Sequence, residues 1–90
     1  MTARWTPQAL ADLAAIHRHI ASNDPTAADR LRDRALQFVE TVLVAQPHAG
    51  RPGRVPGTRE GVIQPSYILA YQVRDGIVVI LAARQWPARF

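Results

Sequence analysis

The sequence contains no cysteine and no lysine, and it has no apolar run long enough to span a membrane. Without cysteine, neither a disulfide framework nor a thiolate metal site can form. The first residues, MTARWTPQAL, do not resemble a secretory signal. We therefore expect a cytoplasmic protein without a membrane partner. The 90 residues, of which 48% are hydrophobic, are expected to form one globular domain over residues 1–90.

Positive charge is concentrated in the second half of the chain. All 11 basic residues are arginine, and the formal net charge is +4. Residues 1–47 hold five arginines and five acids, whereas residues 48–90 hold six arginines against Glu60 and Asp75. Arginine favours flat, bidentate contacts with carboxylates and phosphates. The excess therefore indicates either an anionic partner or a solvated surface, and composition leaves both open.

Two helices are predicted in the first half, after a short strand over residues 2–5. Thr6 and Asp24 can each cap a helix, and each is followed by a proline, which is favoured at a first helical position. Apolar residues then recur at helical spacing in two stripes, which comprise Leu10, Leu13, Ile16 and Ile20, and then Ala28, Leu31, Ala35, Phe38, Val42 and Leu43. The second helix is expected to end near Gln46. The short SNDP break predicts an antiparallel helical hairpin.

Three strands are predicted after Pro47, because residues 58–64, 66–74 and 77–84 are rich in valine, isoleucine and tyrosine. Asp75 and Gly76 form a strong hairpin-turn signal between the last two. The predicted fold class is α+β. It consists of an N-terminal strand, an antiparallel two-helix hairpin and three antiparallel strands, with the helices on one face of an antiparallel sheet.

The last predicted strand, GIVVILAA, is apolar at every position, so both of its faces need cover. The helices can cover one face. A partner chain is one candidate for the other face, and loop and C-terminal residues that include Trp86 are the alternative. A partner would imply an exposed apolar patch when it is absent.

The segment GRPGRVPGTRE, residues 50–60, combines three arginines, three glycines and two prolines. Its glycines and prolines exclude a regular helix, and its charge excludes a buried strand. If the last strand pairs beside the one that begins near Thr58, Arg59 and Arg84 would lie at the same end of the sheet. Such a cluster suits a phosphate or an acidic peptide.

No catalytic residue, metal site or cofactor is predicted. His17 and His19 are two positions apart on a helix and diverge, and His48 is distant in sequence. Ser22 and Ser66 do not lie in a nucleophile turn. The GRPGRVPG segment lacks the Lys-Ser/Thr ending of a nucleotide-binding phosphate loop.

Several motifs together resemble the ParE/RelE toxin superfamily. They are W-T-P-x-A-L-x-D-L-x-x-I at 5–16, P-x-A-A at 25–28, P-x-x-G-R-P-G-R-V-P-G-T-R-E at 47–60, Y-I-L-A-Y-x-V at 67–73 and R-Q-W-P at 84–87. These proteins are the toxins of bacterial type II toxin–antitoxin modules, often called plasmid stabilisation proteins. The resemblance covers nearly the whole chain and is nearer to the ParE branch.

The resemblance implies a partner and a target. Superfamily toxins are neutralised by an antitoxin from the same operon, here a ParD-like protein whose acidic, amphipathic part would wrap the toxin. The implied antitoxin-binding residues are Leu31, Tyr67, Leu69, Tyr71, Arg74, Val78 and Ile80. The implied target-binding residues are Arg51, Arg54, Arg59, Glu60, Arg84 and Trp86. The implied oligomeric states are a dimer, a toxin–antitoxin heterotetramer or a larger assembly.

The branch of the superfamily decides the mechanism. ParE-like members poison DNA gyrase by trapping its cleaved DNA, without covalent chemistry of their own. RelE-like members are ribosome-dependent mRNA endoribonucleases, often with a C-terminal tyrosine or histidine for proton transfer. The C-terminus here, AARQWPARF, has neither residue, and the histidine that many ParE-like relatives carry before R-x-W-P is absent. We therefore expect a gyrase inhibitor rather than an enzyme, with a RelE-like ribonuclease as the first alternative and a non-enzymatic basic nucleic-acid-binding module as the second.

Overall fold

The computed structural model describes residues 1–64 and 66–85. The elements, in chain order, are β1 (Thr2–Trp5), α1 (Pro7–Ala21), α2 (Pro25–Phe38) with a π-helical turn at Val39–Leu43, β2 (Arg51–Pro52), β3 (Arg59–Gln64), β4 (Tyr67–Arg74) and β5 (Ile77–Gln85). The predicted fold class and order are confirmed. The short strand β2, inside the basic segment, was not predicted.

Both helices begin where their capping residues predict. The Thr6 hydroxyl accepts a hydrogen bond from the backbone N–H of Ala9 at 3.1 Å, and the Asp24 carboxylate accepts one from Ala27 at 3.0 Å. Each bond satisfies one of the N–H groups that a helix start leaves without an intrahelical partner. Thr6 also donates to the carbonyl of Leu81 in β5, so the start of α1 is tied to the sheet.

The apolar stripe of the second helix changes phase at its end. The backbone N–H of Val44 donates to the carbonyl of Val39, which closes a wider, π-type turn. Val39 and Leu43 lie in the core, whereas Phe38 and Val42 are only half-buried. The predicted stripe, which used Val42 and omitted Val39, was wrong here because the buried positions continue at intervals of four residues, from Leu31 and Ala35 to Val39 and Leu43.

The five strands form one sheet in the order β1-β5-β4-β3-β2. Strands β2 to β5 pair antiparallel, but β1 pairs parallel to β5. The sheet is therefore mixed, and the prediction of a wholly antiparallel sheet was wrong for its first strand. No hairpin connects β1 to β5, because the two helices and strands β2 to β4 lie between them in the chain.

The turn between β4 and β5 agrees with its sequence signal. Asp75 and Gly76 have φ values of 51° and 76°. Positive φ at both central residues is characteristic of a type I′ turn, whose twist matches that of a two-stranded ribbon.

Further along these strands, the pairing of β5 with β4 shifts in register between Ala70 and Tyr71. There the Asp12 carboxylate of α1 accepts a hydrogen bond from the backbone N–H of Ala83 at 3.1 Å.

The core lies between the helices and one face of the sheet, which we call the inner face. Its buried members are Ala9, Leu13, Leu31, Ala35, Val39, Leu43, Ile63, Leu69, Tyr71, Val78, Ile80 and Ala83. We call the opposite face, which points away from the helices, the outer face. Within the described residues, no helix combines the length and apolarity needed to cross a membrane.

Candidate functional site: the basic hairpin and the outer face of the sheet

Residues 50–60, here called the basic hairpin, form a short β-hairpin rather than an irregular loop. Arg51 and Pro52 pair with Glu60 and Arg59. The tip is a turn closed by a hydrogen bond of 3.1 Å from the Thr58 N–H to the Val55 carbonyl. Proline followed by glycine with φ of 86° fills its two central positions, as a type II turn requires. The glycines and prolines therefore build a defined turn.

Two of the three glycines of this hairpin, Gly53 and Gly57, restrict substitution for different reasons. Gly57 needs its positive φ, but a Cβ there would meet nothing within 4 Å. Gly53 has no positive φ, and a Cβ there would instead collide with the Thr58 hydroxyl. A bulky residue at Gly53 would therefore fail through steric contact rather than through backbone strain.

Glu60 joins the two arms of the basic hairpin. Its side chain is only 4% exposed, and its carboxylate accepts hydrogen bonds from the Arg51 guanidinium at 3.2 Å and from the backbone N–H of Arg54 at 3.3 Å. The Arg54 guanidinium lies 3.9 Å from the same carboxylate. Burial of a carboxylate is tolerated when charge-assisted hydrogen bonds replace its hydration. Glu60, proposed from sequence as a target contact, thus makes its contacts within the hairpin.

Arg59 and Tyr71 hold the segment that enters the hairpin. Arg59 donates to the carbonyls of Gly50 at 2.7 Å and His48 at 3.3 Å. The buried Tyr71 hydroxyl donates to the Pro47 carbonyl and accepts from the Gly50 N–H, both at 2.9 Å. Both side chains therefore satisfy backbone groups of residues 47–50, which have no strand partner of their own.

Four arginines lie on the outer face of the sheet. Side chains alternate between the faces along a strand, and Ala3, Trp5, Val73 and Ala83 pack against the core on the inner face. Their neighbours Arg4, Arg74 and Arg84 therefore point outward, and Arg51 shares this face with Glu60, its cross-strand partner. All four arginines are exposed.

The charge of the outer face is strongly one-sided. Among residues 1–64 and 66–85, Glu60 is the single acidic side chain within its strands, and it already contacts Arg51 and Arg54. No carboxylate of the described residues forms an ion pair with Arg4, Arg74 or Arg84. An anionic partner would therefore find guanidinium groups that need not first break an internal ion pair.

The expected grouping of Arg59 with Arg84 was wrong. Strand β4 lies between β3 and β5, so the two strands are not neighbours. Arg59 is paired with Tyr71 and bonds the segment under the hairpin, whereas Arg84 is paired with Ile68 and faces outward. Arg4 was not among the predicted site residues, because the first half of the chain has balanced charge. The alternation in TARW, with alanine and tryptophan facing the core, could have placed Arg4 on the outer face.

The residues expected to bind an antitoxin fall into two groups. Leu31, Leu69, Tyr71, Val78 and Ile80 are at most 2% exposed and form the core, so the surface available to a partner is made by other side chains. Tyr67 is half-buried and Arg74 is exposed. The outward apolar residues of β5 are half-buried, and Val62 on β3, which is separated from β5 by β4, is 49% exposed. Trp86, the other proposed cover for this strand, lies outside the described residues.

A second surface feature is an apolar groove of about 380 Å³ between α1 and α2. Leu10 and Leu36, which are 51% and 40% exposed, line it together with Arg18 and Arg32. Leu10 was expected to face the core, but the structure turns it toward this groove. An apolar floor flanked by guanidinium groups suits an amphipathic acidic segment.

One side-chain hydrogen bond ties the two helices together beside this groove. His17 of α1 donates to the carboxylate of Asp29 in α2 at 2.8 Å. This hydrogen bond, together with the charge of nearby Arg32, holds the pKa of the Asp29 carboxyl below its usual value. His17 is thereby engaged with a carboxylate, and the described residues contain no group of three potential metal ligands.

Comparisons with known proteins identify the family. Residues 3–84 match the family model for the ParE toxin of the type II toxin–antitoxin system parDE. The toxin Y4kP of Sinorhizobium fredii is 38% identical over 88 residues, covering 93% of this chain and 91% of that protein. Toxin RelE2 of Caulobacter vibrioides is 40% identical over 80 residues, covering 89% of each protein.

Solved structures agree with this assignment. The chromosomal ParDE system of P. aeruginosa contains a chain with a TM-score of 0.82 and 30% identity, covering 94% of this chain and 95% of that one. The RelBE2 toxin–antitoxin complex of Mycobacterium tuberculosis contains one with a TM-score of 0.71 and 27% identity, covering 94% and 96%. The chain belongs to the ParE toxin family of the ParE/RelE superfamily.

Proposed function

We propose that this type II toxin inhibits DNA gyrase by binding, without chemistry of its own, and that a ParD-like antitoxin neutralises it. The observation that carries the proposal is the outer face, where Arg4, Arg74 and Arg84 are spread over β1, β4 and β5 of the sheet that the basic hairpin joins, and form no ion pair with a carboxylate of the described residues. Guanidinium groups so placed suit the carboxylates and phosphates of a protein–DNA complex.

The composition of the outer face favours binding over RNA cleavage. Cleavage through a 2′-hydroxyl needs a group that takes a proton from it and another that protonates the leaving oxygen. The outward positions of the described strands hold no histidine, tyrosine or lysine. Glu60, their one carboxylate, is buried and already accepts two hydrogen bonds.

The groove between α1 and α2 supports an antitoxin partner. Its exposed leucines, Leu10 and Leu36, offer apolar contact, and Arg18 and Arg32 offer charge to an acidic segment. The similar chains from P. aeruginosa and M. tuberculosis come from a ParDE system and a RelBE2 toxin–antitoxin complex. A toxin–antitoxin assembly is therefore the expected resting state, with the apolar surfaces covered.

A RelE-like ribonuclease is the second candidate, because one relative at 40% identity is named Toxin RelE2. The two functions are separated by assaying one protein preparation on both targets. We expect the purified toxin to inhibit gyrase supercoiling and to accumulate gyrase–DNA cleavage complexes, while mRNA on translating ribosomes stays intact. Codon-positioned mRNA cuts with unaffected supercoiling would establish the ribonuclease instead, and DNA binding without either effect would indicate a plain nucleic-acid-binding module.

Matched double variants test whether the outer face carries the inhibition. R74A/R84A removes two outward guanidinium groups, whereas R30A/R34A removes two exposed guanidinium groups from α2. The two variants change net charge equally. We expect R74A/R84A to lose most gyrase inhibition and R30A/R34A to keep it. Equal loss in both would mean that net charge, rather than this face, is responsible.

A further inference from the structure

We propose that Glu60 is a positioning residue whose carboxylate orders the basic hairpin and so presents Arg51 and Arg54 to the target. This inference rests on the proposed function in one respect, namely that the hairpin arginines contact the target. Glu60 is the one buried charged side chain among the described residues. Its carboxylate contacts Arg51 and Arg54, which both belong to the hairpin.

Apart from the contacts of Arg59 and Tyr71 with Gly50 at its entry, few bonds order the basic hairpin. Its ladder comprises only two residue pairs, and its first strand, Arg51–Pro52, has two residues. Two of its positions are proline, which donates no backbone hydrogen bond. Beyond this ladder, the backbone bonds that close the hairpin are those from Gly53 to Thr58 at 2.8 Å and from Thr58 to Val55 at 3.1 Å. Strand β2 lies at the edge of the sheet, and so short a two-stranded pairing is at best marginally stable by itself in water.

Glu60 supplies what this short ladder lacks. One carboxylate oxygen accepts from the Arg51 guanidinium, and the other accepts from the backbone N–H of Arg54 at the start of the tip. The carboxylate thus holds both the strand and the turn that follows it. Hydrogen bonds to a charged group are stronger than those between neutral groups, and burial of the carboxylate protects them from competing water.

This arrangement gives Glu60 a role distinct from that of the arginines. At 4% exposure its side chain has little surface to offer a target, whereas the Arg51 and Arg54 side chains are 48% and 54% exposed. A target that engages these guanidinium groups would meet them already arranged. Pre-ordering of this kind raises affinity because less conformational entropy is lost on binding.

The test compares Glu60→Gln with Glu40→Gln, a control that makes the same chemical change at an exposed residue of the π-helical turn. Trypsin reports hairpin order, because the Arg54–Val55 bond is cleavable whereas the Arg51–Pro52 bond resists the enzyme. We expect Glu60→Gln to speed cleavage after Arg54 about tenfold or more, with the global melting temperature nearly unchanged. An unchanged rate, or equal acceleration at every arginine, would overturn the proposal.

Gyrase inhibition supplies the second readout. Because Glu60 is inferred to act through Arg54, the Glu60→Gln change should weaken inhibition in the native background but add little in an R54A background. A purely additive effect, or a looser hairpin with undiminished inhibition, would refute the positioning role. If the native protein does not inhibit gyrase at all, the proposed function fails, and the proteolysis result still decides whether Glu60 orders the hairpin.

A second variant covers the case in which Glu60→Gln lowers global stability. Glu60→Asp keeps the charge but withdraws the carboxylate by one methylene, which is enough to lengthen its bonds to Arg51 and Arg54 beyond hydrogen-bonding distance. Selective cleavage after Arg54 in this variant supports the proposal. A hairpin as resistant as that of the native protein overturns it.

Discussion

Removing the hydroxyl of Tyr71 should destabilise the protein by a predictable amount. The side chain is fully buried, and its hydroxyl donates to the Pro47 carbonyl and accepts from the Gly50 N–H, both at 2.9 Å. Tyr71→Phe keeps the ring packing and deletes both hydrogen bonds. The Gly50 N–H lies in buried surroundings, so the change leaves a backbone donor without a partner rather than returning it to solvent.

The magnitude follows from those two bonds. Each contributes about 1 kcal/mol net, and an unsatisfied buried partner costs roughly 1–3 kcal/mol, so the expected loss in the free energy of unfolding is about 2–4 kcal/mol. For a domain of this size, 1 kcal/mol corresponds to a change in melting temperature of about 4–8 °C. We therefore expect Tyr71→Phe to lower the melting temperature by roughly 10–25 °C.

Thermal and urea unfolding of the purified variants measure this loss, and Tyr67→Phe is the matched control. Tyr67 is half-buried, and its hydroxyl forms no hydrogen bond with any of the described residues. Loss of this hydroxyl should therefore change the free energy of unfolding by less than about 0.5 kcal/mol. If Tyr71→Phe is as stable as Tyr67→Phe, the segment over residues 47–50 is not held by this hydroxyl. The entry of the basic hairpin would then need another anchor.

Three further predictions concern glycine packing, acid stability and antitoxin binding. Gly61→Ala should lower the free energy of unfolding by about 1–3 kcal/mol, because its Cβ would lie 2.6 Å from the Phe38 ring. The Cβ of Gly57→Ala would meet no atom within 4 Å, so this change should cost only the roughly 1–2 kcal/mol of its positive φ. Urea midpoints of the two variants test which change is the more destabilising. Since the folded-state pKa of Asp29 is lowered, its contact with His17 should stabilise the protein above pH about 4 and lose that contribution as pH falls through the lowered pKa. The difference in urea midpoint between native protein and Asp29→Asn should therefore be largest at neutral pH and shrink with falling pH, and a difference that does not shrink would contradict the assignment. A cognate antitoxin at about 100 times its dissociation constant should stabilise the folded toxin by about 2.7 kcal/mol and reduce its self-association. An unchanged melting temperature would argue against binding to the folded toxin.

Local sequence signals were sufficient for the elements of the fold. The caps at Thr6 and Asp24, the prolines behind them and the Asp75-Gly76 turn each act over a few residues, and the structure places each of them as predicted. Periodicity distinguished helices from strands for the same reason, because each type of element has its own spacing of buried positions. The motifs also indicated the family, which the comparisons confirm.

Only the tertiary structure decided the candidate site. Whether an arginine faces the core side or the outer face depends on strand order and register, which join residues far apart in sequence, as in the pairing of Arg4 with Val79. The burial of Glu60 arises because the chain turns back at the hairpin tip and brings Arg51 and Arg54 onto one carboxylate. Composition counted these charges correctly, but the packing of the fold determined that Glu60 contacts Arg51 and Arg54, whereas Arg74 and Arg84 form no ion pair with a carboxylate of the described residues.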